Sequence, residues 1–318
     1  MEIMRFVFTS MLLIATSIIA AAPASAEQTQ NTAAVLRPTK ELFSIKEISA
    51  EVREVTYTNT PFNFIEPTTL VQLNQAIKEL SADSKIKVVI FNSGVSGYFY
   101  NHFDMDQFPA FAGQTGENAK PLWVELISNI ESAPFVTVAS IRGRTQGGGG
   151  DLALAFDLRY ASREKAIFNQ PEVGLGLFPG GGGPDHLARL AGRDRAIEVF
   201  LSADDYDAET AEKYGWVTRT VSDVELDKVV TNLAMRLATF DKQALIAVKQ
   251  HINSITLPTE AERLASYKKF SGSLTSPGLQ QRMGVFQKIV TDSGLEKVET
   301  NMGYYIGAGN AAVQKDKQ

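Results

Sequence analysis

The spacing of hydrophobic positions changes several times along the first half of the chain. Apolar residues at alternate positions over residues 42–48 and 52–57 predict a β-hairpin. Helical spacing predicts helices over residues 66–80 and 115–132. Continuous apolar runs predict buried strands over residues 87–91, 135–141 and 157–161. This alternation of strand and helix indicates an α/β core.

Helical spacing dominates the chain after Gly183. Only residues 217–221 resemble a strand there, and the polar residues 310–318 are expected to fray. The apolar pattern predicts helices over residues 184–202, 207–214, 223–239, 241–253, 258–271 and 278–293. We therefore expect a helical C-terminal region that begins near residue 205.

The N-terminus has the features of a secretory signal peptide. Arg5 precedes an apolar run over residues 6–22, and Ala24 and Ala26 then form the small-residue pattern that signal peptidase cleaves. We therefore predict that residues 1–26 are removed and that the mature protein is periplasmic or secreted, without stable membrane association. An uncleaved membrane anchor stays open, because the apolar run is only marginally long enough to span a bilayer.

Composition narrows the classes of function. The 318 residues are 44% hydrophobic, which is enough for a substantial core. The net charge of −5 argues against a nucleic-acid partner, which would require a basic face. The chain has no cysteine, and the spacing of its three histidines is not that of metal ligands: His102, His186 and His251. We therefore expect neither a nucleic-acid partner nor a metal site.

Two glycine clusters, each with an acidic residue nearby, are the most informative local feature. The run from Gly147 to Gly150 lies between an apolar strand and Asp151, where it would expose backbone N–H groups at the start of a helix. Such groups stabilise a developing oxyanion. Asp151 and Glu172 would supply two carboxylates for general acid–base chemistry. The pattern therefore predicts an enzyme that acts at a carbonyl group.

The residues around these clusters resemble the enoyl-CoA hydratase/isomerase (crotonase) superfamily. The likeness rests on R-G-R-T-Q-G-G-G-G-D and on F-N-Q-P-E-V-G-L-G-L-F-P-G-G-G-G, and it extends over residues 42–255. It implies a crotonase-like spiral of ββα units over residues 42–204 and a helical region over residues 205–309 that forms a homotrimer or hexamer. It also implies an acyl-CoA substrate and no cofactor apart from the coenzyme A of that substrate.

The resemblance assigns two backbone N–H groups to the thioester oxygen as the enolate forms. One belongs to Gly148, the second glycine of the run. The other belongs to Phe103, because F-Y-N-H-F-D matches the F-x-A-G-x-D motif of the family, although histidine replaces its glycine. Additional substrate contacts are expected from neighbours of these donors: Gly147, Gly149, Phe99 and His102.

The same resemblance gives the two carboxylates separate roles. Glu172 matches the family's general acid or base, and Asp151 falls on the position of the glutamate that orients and activates water. Aspartate places its oxygens about 1.3 Å further from the substrate, so capping of the glycine-rich helix is an alternative for Asp151. Arg142 and Arg144 would bind an anionic substrate group or pair with a local acid.

Three classes of function remain open at this stage. The first is an acyl-CoA hydratase or isomerase. The second, favoured by the predicted export, is a hydrolase or lyase acting on a carbonyl compound without coenzyme A. The third is a catalytically inactive binding protein, which the changes at His102, Asp151 and Asp106 would allow. A cavity blocked by the side chain of Phe103 or Arg144 would favour this third class.

Overall fold

A computed structural model describes residues 40–111 and 113–315. The strands within these ranges are β1 (Phe43–Ser49), β2 (Val52–Tyr57), β3 (Val88–Ser93), β4 (Val136–Ile141), β5 (Arg144–Gln146), β6 (Leu158–Ser162), β7 (Ile167–Asn169), β8 (Asp205–Asp207) and β9 (Arg219–Val221). The predicted signal peptide, residues 1–26, lies outside the described residues. Among the helices that are described, none is long and apolar enough to cross a membrane.

Helices fill the segments between these strands and most of the C-terminal part. They are α1 (Pro67–Ala82), α2 (Phe108–Phe111), α3 (Leu122–Ser132), α4 (Gly148–Ala155), α5 (Gly183–Ala191), α6 (Arg193–Ser202), α7 (Ala208–Tyr214), α8 (Leu226–Ala238), α9 (Lys242–Thr256), α10 (Glu260–Ser273), α11 (Pro277–Ser293), α12 (Leu295–Glu299) and α13 (Met302–Lys315). A 3-10 turn over Val173–Leu175 follows β7.

The strands form two sheets that the chain visits in turn. The larger sheet has six strands in the order β1-β2-β3-β4-β6-β9, and the smaller has three in the order β5-β7-β8. β1 and β2 form the predicted antiparallel hairpin, whereas β3, β4 and β6 are parallel neighbours. The chain repeats a unit made of one strand in the large sheet, one strand in the small sheet and a helix. This unit occurs as β4-β5-α4 and again as β6-β7-α5. This confirms the predicted α/β spiral of ββα units with a helical C-terminal region.

The predicted element boundaries were wrong in three places. Helix α3 begins at Leu122 and not at residue 115, because Thr115 forms an antiparallel bridge with Pro121. The single helix predicted over residues 184–202 is two helices, separated at Gly192 with φ of +84°. The segment expected to fray is helical as far as Lys315, because Val313 is buried.

Candidate active site

One cavity lies between the start of α4, the segment before α2 and the C-terminal helices. It has a volume of about 80 Å³. Its wall is mostly apolar, and its aromatic side chains include Phe103, Phe108, Phe111, Trp123, Tyr267 and Phe270. The acidic and histidine side chains on the wall are His102, Asp151 and Glu172. An apolar wall that excludes water strengthens every electrostatic interaction inside the cavity.

Strand pairing brings the two sequence motifs together. β5 and β7 are parallel, with Gln146 opposite Asn169. The segments that follow these strands therefore leave the small sheet at the same edge. The N–H of Gly147 donates to the carbonyl of Asn169 at 2.9 Å, which joins the glycine run to the segment that carries Glu172. The cavity forms where these two segments separate.

The glycine run allows the start of α4 to lie against neighbouring backbone. Gly147 has φ of +49°, a conformation that favours glycine. A Cβ at Gly149 would lie 2.0 Å from the carbonyl oxygen of Tyr100, so α4 starts directly against the segment before Phe103. A Cβ at Gly148 would lie 2.7 Å from the Phe103 ring. The two predicted N–H donors therefore lie on segments that touch each other.

The backbone around Phe103 is held by a parallel bridge to Ile65. The N–H of Ile65 donates to the carbonyl of His102 at 3.0 Å, and the N–H of Asp104 donates to the carbonyl of Ile65 at 2.8 Å. Successive residues of an extended segment direct their N–H groups to opposite sides, so the N–H of Phe103 faces away from Ile65. Within residues 40–111 and 113–315, neither this N–H nor that of Gly148 has a hydrogen-bond acceptor.

Glu172 stands where the chain turns after β7. Its carbonyl accepts hydrogen bonds from the N–H groups of Leu175 at 3.0 Å and Leu177 at 2.8 Å, which hold the turn. Among the described residues, its buried Oε2 has no hydrogen-bond partner. Burial raises the pKa of Glu172, and the nearby charge of Asp151 raises it further. An unpaired carboxyl with a raised pKa at a cavity wall is suited to proton transfer.

Asp151 occupies a space that the second glycine cluster leaves open. A Cβ at Gly181 would lie 2.1 Å from its Oδ2, and one at Gly183 would lie 2.0 Å from its Oδ1. Its Oδ1 accepts a hydrogen bond from the side chain of Gln170 at 3.1 Å. Burial raises the pKa of Asp151, and the Gln170 hydrogen bond opposes this shift. The side chain faces the cavity and does not cap α4, whose N-cap is Gly147.

His102 also faces the cavity, and it is paired with an acid from the C-terminal region. Its Nε2 lies 3.1 Å from Oε1 of Glu299, on α12. Burial lowers the pKa of His102, but the charge of Glu299 and the hydrogen bond to it outweigh burial and raise this pKa to about 9. The ring of Phe64 packs against the imidazole with a centroid distance of 4.8 Å.

Three residues expected to contact substrate do not line the cavity. One is Gly147, where an added Cβ would lie 2.7 Å from Oε1 of Glu172. Phe99 is fully buried in the core, where it packs against Tyr100. Gly149 lies against the backbone of residues 100 and 101. The sequence motif placed all three near the donors, but their direction depends on packing that the motif does not encode.

Neither arginine beside the glycine run lines the cavity. Arg142 forms ion pairs with Asp223 at 2.9 Å and with Asp227 at 2.5 Å. Arg144 pairs with Asp205 at 2.9 Å and therefore does not block the cavity. Of the two roles predicted for these arginines, the structure shows pairing with acids. The acids are near in space but distant in sequence.

Sequence reasoning missed Glu299 and the aromatic wall. Glu299 belongs to no recognisable motif, so no local signal could have identified it. Gln170 lies within the Q-P-E motif, and its place directly before Pro171 and Glu172 is a signal that could have been used. No cluster of acidic and histidine side chains in the described residues could hold a metal ion.

Comparisons with known proteins show which family the chain belongs to. A family model for enoyl-CoA hydratase/isomerase matches residues 47–296. A short-chain-enoyl-CoA hydratase from Clostridium acetobutylicum is 30% identical over 60% of this chain and 73% of its own length. A crotonyl-CoA hydratase from Syntrophomonas wolfei is 28% identical over 73% of this chain and 89% of its own.

A solved structure extends the likeness to three dimensions. The enoyl-CoA hydratase homologue from Streptomyces avermitilis superposes with a TM-score of 0.78 and 38% identity, covering 84% of this chain and 96% of that one. The family match spans most of the chain, including the glycine run and both carboxylates. The protein therefore belongs to the enoyl-CoA hydratase/isomerase family.

Proposed function

We propose that the protein hydrates the double bond of a short-chain enoyl-CoA thioester. Phe103 and Gly148 would donate their N–H groups to the thioester oxygen, and Asp151 and Glu172 would move the protons. The observation that carries the proposal is the meeting of two N–H groups without acceptors and two buried carboxyls at one cavity.

The two carboxyls supply the two proton transfers that hydration requires. Burial raises the pKa of both, and the charge of Asp151 raises that of Glu172 further, so Glu172 is favoured as the protonated partner. Asp151 as the carboxylate takes a proton from water while the remaining hydroxide bonds to C3. Glu172 as the acid gives its proton to C2. The net change is the addition of one water molecule, and no oxidant or cofactor is consumed.

The oxyanion site lowers the barrier of this reaction. Attack at C3 moves charge onto the thioester oxygen, where fixed N–H dipoles stabilise it without reorganisation. Each donor of this kind contributes about 3 kcal/mol. The cavity of about 80 Å³ is small beside the pockets of roughly 300 Å³ or more that hold larger ligands. A short acyl chain is therefore the expected substrate.

Turnover of crotonyl-CoA tests the proposal. Protein lacking residues 1–26 should convert crotonyl-CoA to the 3-hydroxyacyl-CoA, and mass spectrometry measures the formation of this product. Replacing Glu172 by glutamine should lower kcat by about 10²–10⁴-fold, because the proton donor is lost. Glu209→Gln is the matched control, since that side chain is 58% exposed and distant from the cavity. Undiminished turnover by Glu172→Gln would refute the role given to Glu172.

A second candidate is a hydrolase or lyase that acts on a carbonyl compound without coenzyme A. Two observations favour it: the signal peptide predicted over residues 1–26, and the exposed Asp106, where some family members carry a basic residue near the CoA phosphates. Calorimetric titration with crotonyl-CoA separates the candidates. Absence of binding, together with activity on a free ketone or ester, would favour the second.

A further inference from the structure

His102 occupies the position where the family motif has glycine, and both nitrogens of its ring are bound. Nδ1 lies 2.8 Å from the carbonyl oxygen of Phe103. Nε2 lies 3.1 Å and 3.2 Å from the two carboxylate oxygens of Glu299. These residues are 197 positions apart in the sequence, so only the fold brings them together.

The partners of the ring determine its protonation. A carbonyl oxygen only accepts hydrogen bonds, so Nδ1 must carry a hydrogen. Glu299 also accepts from the side-chain amides of Asn101 at 3.0 Å and Gln146 at 3.4 Å, which favours its ionised form. An ionised carboxylate only accepts, so Nε2 carries a hydrogen as well. His102 is therefore an imidazolium, and Glu299 is its counter-ion.

Three hydrogen bonds fix the peptide groups on both sides of Phe103, and the His102 ring supplies one of them. The carbonyl of His102 accepts from Ile65, and the N–H of Asp104 donates back to Ile65. The carbonyl of Phe103, which shares a peptide group with the N–H of Asp104, accepts a hydrogen bond from the His102 ring. With both peptide planes held, the N–H of Phe103 has one direction. Glycine at position 102 could not make the third of these bonds.

Charged or titratable groups from three elements act on the His102–Glu299 pair. Glu299 approaches from α12 and Glu172 from the turn after β7. The charge of Arg144, on β5, lowers the pKa of Glu299. The side chain of His102 is 15% exposed and that of Glu299 is 2% exposed, so water screens the pair only weakly.

We propose that His102 and Glu299 are a positioning pair, which orients the N–H of Phe103 and keeps a fixed positive charge beside the thioester oxygen. The proposal rests on the function proposed above and adds a part to it: α12, from the C-terminal region, completes the oxyanion site. His102 has no free N–H for substrate, so it acts through the Phe103 peptide and through its charge.

The first test needs no substrate. NMR of ¹⁵N-histidine-labelled protein, with resonances assigned by single His→Gln variants, should show His102 with both nitrogens protonated at pH 7. Its titration midpoint should be about 9, and Glu299→Gln should lower that midpoint, because the counter-ion is lost. The exposed His251 serves as the internal control, with a signal that Glu299→Gln should not move. A neutral His102 at pH 7 would overturn the proposal.

The second test measures the effect on turnover. The double variant His102→Gln/Glu299→Gln removes both charges and so avoids leaving one buried charge unpaired. It should lower kcat on crotonyl-CoA about 10–100-fold with little change in KM, because a misdirected donor weakens transition-state binding above all. His251→Gln should change neither constant.

The outcomes separate the two proposals. A wild-type protein that does not hydrate any enoyl-CoA refutes the proposed function, while the NMR titration still decides whether the ion pair exists. An active wild-type protein and an equally active, folded double variant overturn the positioning role. If the double variant does not fold, the NMR result on the wild-type protein decides.

Discussion

Gly147 shows how closely the candidate site depends on single residues. A Cβ at this position would lie 2.7 Å from Oε1 of Glu172 and 3.2 Å from Cβ of His102. The φ of +49° is a second obstacle to any side chain. Glycine is therefore required here both by backbone conformation and by the space that the Glu172 carboxyl occupies.

Replacing Gly147 by alanine should destabilise the protein by about 1–3 kcal/mol, because the backbone conformation becomes strained. It should also lower kcat about hundredfold, because Glu172 must move by a large fraction of an ångström or more. Thermal unfolding and crotonyl-CoA kinetics check both. Gly272→Ala, within α10 and with no atom within 4 Å of the added Cβ, is the control and should be slightly stabilising. Equal behaviour of the two variants would contradict the prediction.

The raised pKa of Glu172 predicts a dependence of stability on pH. The native state retains a proton that the unfolded chain releases above the ordinary carboxyl pKa of about 4. The stability that protonated Glu172 contributes is therefore fully present below the ordinary carboxyl pKa. It is lost as pH rises towards the raised native pKa. The Glu172→Gln variant does not show this loss of stability, because glutamine does not titrate. The melting temperature of the variant relative to wild type should therefore increase from about pH 5 to about pH 8.

Thermal unfolding of both proteins across this pH range measures the effect. Glu209→Gln, at a largely exposed position, provides the baseline for removing a glutamate that is not buried. A difference between Glu172→Gln and wild type that stays constant with pH would show that Glu172 has an ordinary pKa in the native state.

At the scale of elements, the C-terminal helices support the turn that carries Glu172. A Cβ at Gly174 would lie 2.1 Å from Cγ2 of Ile306 on α13. The side chain of Asn310, one turn further, donates to the carbonyl of Gly174 at 2.7 Å. Leu175 and Leu177 share a buried apolar cluster with Ile306. Helix α13 therefore holds the Glu172 turn from behind.

Replacing Ile306 by alanine should lower the free energy of unfolding by about 2–5 kcal/mol, because it leaves a cavity in this cluster. It should also reduce kcat, since the turn that carries Glu172 loses its support. Denaturant unfolding and crotonyl-CoA kinetics measure the two effects. Val224→Ala, at a position 90% exposed, should change neither by much. A destabilised Ile306→Ala with full kcat would show that α13 does not position Glu172.

At the scale of the whole molecule, α9 carries an apolar face that the described chain does not cover. Val248 is 61% exposed, Ile252 51% and Ile255 69%. Val248 and Ile252 line a groove of about 690 Å³ together with Phe240. Exposed apolar faces of this kind mark protein interfaces. The family resemblance predicts that copies of this chain fill it, in a homotrimer or hexamer.

The double variant Val248→Asp/Ile252→Asp should therefore shift the protein towards the monomer, because charged groups would be buried at the interface. Analytical ultracentrifugation of both proteins over a range of concentrations measures the change. Val224→Asp introduces one aspartate at another exposed site and should leave the assembly intact. A wild-type monomer, or a double variant that assembles normally, would contradict this prediction.

The sequence by itself determined the α/β core and the family. Alternating and helical periodicity gave most elements, because each is a local property of the chain. The two glycine clusters indicated Asp151 and Glu172, and the family resemblance indicated Gly148. The strands β5, β7 and β8 were missed, because segments of three residues carry little periodicity of their own.

Only the tertiary structure decided what surrounds those residues. The pairing of His102 with Glu299, the aromatic wall of the cavity and the support of the Glu172 turn by Ile306 all join positions far apart in sequence. Phe99 and Gly149 belong to the motifs, yet packing turned them away from the cavity. Local pattern specifies which residues can form an element, whereas long-range packing specifies which side chains meet.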